Sequence, residues 1–113
     1  MTAQLPARLV VTALIRSVQV QGGFATVLKS GNDDSGSIML QCTKMGQFER
    51  LLERQMTLDG AYEWRAIPEA QNKNPLELND YIERRYAQDR DLWVLELDVA
   101  DTERFVAELN AFG

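Results

Sequence analysis

Leu92-Trp93-Val94-Leu95-Glu96-Leu97-Asp98-Val99 is the stretch on which the fold turns. Trp93, Leu95, Leu97 and Val99 alternate onto one face; Leu92, Val94, Glu96 and Asp98 take the other. Both faces start apolar, and only the second turns acidic. A strand that is greasy on one side belongs at a surface, whereas one that is greasy on both needs cover above and below.

Working outward, Asp101 or Thr102 caps a short closing helix with the stripe Phe105, Leu109 and Phe112. Upstream, Asn74-Pro75-Leu76-Glu77 has the residue order of a capped helix start, followed by a stripe of Leu78, Ile82 and Tyr86. Tyr62, Trp64 and Ala66 alternate with Glu63, Arg65 and Ile67, the pattern of a strand. Gln47 to Met56 has helical spacing at Phe48, Leu51, Leu52 and Met56, but Asp59-Gly60 beyond it signals a hairpin. Both arms are therefore assigned as strands, with helix the alternative for the first. Phe24 to Ser30 and Ser37 to Thr43 read as two more strands, and the polar run Gly31 to Gly36 predicts a hairpin turn between them.

The chain opens with a helix over Pro6 to Val20, stopped by Gly22-Gly23. Arg8, Thr12, Arg16 and Gln19 form its one polar stripe, and apolar residues take most of the remaining girth. A surface helix shows the opposite balance, so this one is expected to be buried on more than one side. The order α-β-β-β-β-α-β-α predicts a single α+β domain over residues 1–113. Its sheet is expected to be mainly antiparallel, with four to five strands and the helices packed on one face.

Composition removes whole classes of chemistry. The 113 residues contain no histidine and one cysteine, so His-dependent nucleophiles and Cys/His metal sites are excluded by count. Cys42 alternates with Ile38 and Leu40 and reads as core; no cofactor is expected. A net charge of −5 disfavours nucleic acid and anionic lipid. The apolar stretch Leu9 to Ile15 is too short to span a bilayer. The single cysteine and lack of a leader pattern point to the cytoplasm.

Three segments resemble a known family: Leu5-Pro6-Ala7-Arg8-Leu9, Gly22-Gly23-Phe24-Ala25 and Asp91-Leu92-Trp93-Val94-Leu95-Glu96. The chain is similar through nearly its whole length to the small alphaproteobacterial proteins catalogued as domain of unknown function 1491. That resemblance implies a compact cytoplasmic bacterial protein, with no activity to carry over.

Candidate chemistry is sparse. Glu96 and Asp98 lie two residues apart on one strand face, roughly 7 Å along the backbone, a spacing open to acid/base work or to a merely solvated strand end. Arg8 and Arg16 could face an anion or simply solvent. Arg84, Arg85 and Arg90, with Tyr81 and Tyr86, form the only basic-aromatic cluster, read either as an RNA contact or as helix stabilisation. Gly31 to Gly36 lacks the residues of a phosphate loop or a calcium loop.

Three functions remain open: a non-enzymatic interaction protein, a ligand-binding protein or enzyme using Glu96 and Asp98 with Arg16 and Arg85, and RNA binding. The first is favoured because the apolar residues outnumber the places one sheet-and-helix layer has to bury them. Val11, Ile15, Leu92 and Val94 are accordingly expected at an interface, with a second copy or another protein as partner.

Overall fold

A computed structural model describes residues 5–112 of the chain. The elements follow in the expected order: α1 (Ala7–Val20), β1 (Phe24–Lys29), β2 (Ile38–Lys44), β3 (Gln47–Met56), β4 (Tyr62–Ala66), α2 (Pro75–Gln88), β5 (Trp93–Asp98) and α3 (Thr102–Phe112). Gln47 to Met56 is a strand, as assigned, and the α+β class and mainly antiparallel sheet hold. The side chain of Phe112 lies outside the described residues.

The sheet order is β1-β5-β2-β3-β4. This corrects the hairpin expected across Gly31 to Gly36, because β1 and β2 do not pair. β5 inserts between them, antiparallel to β1 and parallel to β2. The reason lies in β5 itself. Trp93, Val94, Leu95 and Leu97 are all buried, and only an interior position covers both faces of a strand that apolar.

The helices do not share one face, which corrects a second expectation. On one face, Ala7, Val11, Leu14 and Val18 of α1 and Phe105 of α3 pack with Ile38, Leu40, Cys42, Leu95 and Leu97. On the other, Leu78, Tyr81 and Ile82 of α2 pack with Met39, Leu51, Leu92 and Val94. Three layers thus absorb much of the apolar surplus that a two-layer count leaves over. α1 is also not buried on several sides: its buried residues form one stripe, while Leu9, Ala13 and Val20 stay exposed.

The parted strands β1 and β2 are held by their loop. Asn32 Oδ1 accepts hydrogen bonds from the amides of Asp34 and Ser35, and the Asn32 amide donates to Asp91 O. The Trp93 indole donates to Asn32 O at 2.7 Å. The amides of Ala7 and Arg8 donate to Asp34 O and Asp33 O, which caps α1 where Pro6 offers no side-chain cap. A Cβ on Gly31 or Gly36 would stand 2.1 Å from Asp91 O, so both positions admit only hydrogen.

Candidate functional site

The two ends of the sheet order differ. β4 closes one edge with Trp64 buried beneath α3. The Asn110 side chain of α3 reaches this strand: its Oδ1 accepts from the Trp64 amide at 2.8 Å and its Nδ2 donates to Trp64 O at 3.2 Å. One side-chain amide thus satisfies both backbone groups of Trp64 that face away from β3, standing in for a further strand. Charged Glu63 and Arg65 flank it, paired to each other.

β1 forms the other edge and has no such seal. Among the described residues, none outside β5 hydrogen-bonds to its backbone between Phe24 and Leu28. Most of its exposed side chains are apolar: Phe24 is 75 % exposed, Val27 and Leu28 40 % each, with Thr26 the polar exception. Val20, at the end of the adjoining α1, is 81 % exposed. Pairing with β5 is regular from Phe24 to Val27 and then slips, leaving Leu28 as a bulge. Lys29 turns inward to the α2 side, where it pairs with Glu83 at 2.7 Å and lies over the Tyr86 ring. Elsewhere large exposed apolar residues stand at turns (Met45, Leu58), on α1 (Leu9), in β3 (Met56) and at the start of α2 (Leu76), and scattered exposure of this kind is ordinary.

The residues singled out for chemistry do not converge. Asp98 accepts hydrogen bonds from the amides of Met45 and Gly46 and so pins the β2–β3 turn, where both residues have positive φ. Glu96 accepts from Gln41 Nε2 at 3.3 Å on the open end of the α2 face. Arg8 and Arg16 lie on the exposed stripe of α1, across the sheet from that pair. Arg85 is spent on Glu53 and on Tyr81 Oη, 3.0 Å away. The hydrogen bonds that it donates to Glu53 hold its proton more firmly than in a free arginine. Arg84 lines a shallow groove on the outside of α2 with Lys73, Glu77, Asp80 and Glu83. Arg90 stacks on the same Tyr86 ring as Lys29. Among the described residues no three of Cys, Asp and Glu come together as metal ligands.

The expected interface residues are corrected by burial. Val11, Leu92 and Val94 lie in the chain's own cores, and Ile15 is half-buried against the first of them. The apolar surface that does reach solvent, Phe24, Val27 and Leu28, was missed. Its sequence signal is five uncharged residues in a row, Phe24 to Leu28, but whether a strand is central or at an edge depends on pairing order.

A three-layer α+β domain on a parted hairpin, with one sheet edge sealed and the other bare, is the class of protein these features define. Residues 5–107 match the family described as "Protein of unknown function (DUF1491)", and the chain belongs to that family. It is similar to the crystal structure of a family member from Caulobacter crescentus: 28 % identity, TM-score 0.72, covering 87 % of this chain and 91 % of that one. An NMR structure of a family protein from the same organism aligns at 28 % identity with TM-score 0.74, covering 88 % and 90 %. The solution structure of a protein from A. tumefaciens aligns at 27 % identity with TM-score 0.63, covering 88 % and 89 %. No curated protein matches the chain. No helix among the described residues is long and apolar enough to cross a membrane.

Proposed function

We propose that this protein is a non-enzymatic interaction module of the cytoplasm that docks another polypeptide by strand addition along β1. The observation that carries the reading is the contrast between the two edges: Asn110 occupies β4, while β1 offers free backbone flanked by Phe24, Val27, Leu28 and Val20. An open edge with apolar side chains is a template for a further strand, and here the Leu28 bulge and the inward-turned Lys29 confine that template to Phe24 to Val27. Main-chain bonds supply the pairing, and the exposed side chains supply apolar area and selectivity.

A ligand-binding or enzymatic role has less support. It needs Glu96, Asp98, Arg16 and Arg85 around one cleft, yet Asp98 and Arg85 are engaged in structural bonds and Arg16 lies across the sheet. An RNA-binding role meets the same objection at Arg85 and Tyr86.

A photo-crosslinking amino acid placed at the exposed Thr26 tests the docking in cells. The expected result is a discrete adduct, either with another copy or with a defined protein, that the Phe24→Asp variant weakens. Recovery of uncrosslinked monomer alone, from folded protein, removes the reading.

A further inference from the structure

We propose that the occupant of the β1 edge is a second copy of this chain, its β1 antiparallel to the first across a two-fold axis at Thr26. The inference rests on the strand-docking reading above and names its partner and register.

Symmetry restricts the pairing. Two identical edge strands form one continuous antiparallel sheet about an axis normal to it, so residues that face each other must lie on the same side. Side chains alternate along a strand, so only registers centred on a residue qualify. On β1, Ala25 and Val27 pair with Leu97 and Leu95 and so share the α1 side, while Phe24 and Thr26 pair with Asp98 and Glu96 on the α2 side. A centre at Thr26 sets Ala25 against the partner's Val27 and Thr26 against itself, inside the stretch that is regular before the Leu28 bulge. A centre at Ala25 sets Val27 against Gly23, and a centre at Val27 runs its pairs into the Leu28 bulge. Of the three, only the Thr26 centre matches apolar Ala25 to apolar Val27 within the regular stretch and opposes two threonines, a favourable cross-strand pair.

Charge points to the same edge. All 17 acidic residues lie from Asp33 onward, so residues 5–32, spanning α1 and β1, carry only Arg8, Arg16 and Lys29. Phe24 to Leu28 is uncharged, and Glu83 neutralises Lys29. Two copies with a net charge of −5 each therefore approach here with no carboxylate on either strand. One strand pair with its flanking side chains falls short of the roughly 800 Å² per partner usual in stable complexes. The dimer is accordingly weak and concentration-dependent.

Light scattering across micromolar concentrations reads the association, and Thr26 reads the register. Thr26→Lys and Thr26→Glu each place like charges opposite each other and raise the dissociation constant roughly fivefold. An equimolar mixture of the two recovers association, because only opposite charges then meet. In a Cys42→Ala background, Thr26→Cys crosslinks under mild oxidation, since facing Cα atoms roughly 5 Å apart suit a disulfide. Phe24→Cys does not crosslink, its copies standing roughly 13 Å apart along the strands. A wild type that stays monomeric at high micromolar concentration overturns the proposal. So does a dimer that neither crosslinks at Thr26→Cys nor responds to the paired charges. In the monomeric case, an adduct of the Thr26 photo-crosslinker with another protein leaves the docking reading standing; no adduct removes both.

Discussion

Gly36 is chosen by space rather than by backbone freedom. Its hydrogen faces Asp91 O and the Trp93 ring, which hold the loop against β5. Gly36→Ala drives a methyl into that carbonyl and is expected to lower stability by about 1–3 kcal/mol, read from the urea midpoint. Cys42 makes a second residue-scale prediction. Burial pushes its thiol up to about 12 from 9.0, with Arg50 opposing and Glu49 reinforcing. Above the ordinary value the unfolded chain sheds the thiol proton while the native state keeps it. Stability from this group is therefore intact below about pH 9 and falls by about 1.4 kcal/mol per pH unit as pH climbs toward the native value. Wild type should lose that much more stability than Cys42→Ala over this range, measured by urea unfolding. Cys42 as core was legible from its alternation with Ile38 and Leu40. The role of Gly36 was not, because the strand that crowds it lies more than fifty residues on.

At the scale of elements, local signals were read well and neighbours were not. The capping box of α2 was written in Asn74 and Glu77, whose reciprocal bonds measure 2.9 and 3.1 Å. The turn at Asp59-Gly60 likewise joins β3 to β4. The polar run Gly31 to Gly36 misled because turn residues also suit a loop that spans a gap in a sheet. β5 enters that gap since an interior place in the sheet sets one of its apolar faces under α1 and α3 and the other under α2. The same blindness hid Asn110, a polar residue on a helix that serves as the stop for a strand. Asn110→Ala removes both bonds to Trp64 and is expected to cost about 1–2 kcal/mol. Hydrogen exchange of the Trp64 amide should rise by more than that of Leu52 in the neighbouring strand.

For the whole molecule, the apolar surplus read from the sequence is real but differently placed. Much of it closes inside, under α2 on one face and under α1 and α3 on the other. Of what remains exposed, one contiguous part lies along β1 and the end of α1. If β1 joins a second copy, mass action ties folding to association, and the melting temperature of wild type should rise with protein concentration. Thr26→Lys should flatten that dependence while leaving the dilute-limit value nearly unchanged, since the side chain is exposed. Calorimetry at several concentrations separates the two.

Alternation, caps and turn residues act over a few positions, so the sequence by itself determined the elements, their order and the cores drawn from β5, β2 and α2. Strand order is a contest among distant segments for the same neighbours, settled by total burial rather than by any short pattern. Only the tertiary structure therefore decided that the helices cover both faces, that Glu96 and Asp98 meet no arginine across a cleft, and that β1 is the edge left bare.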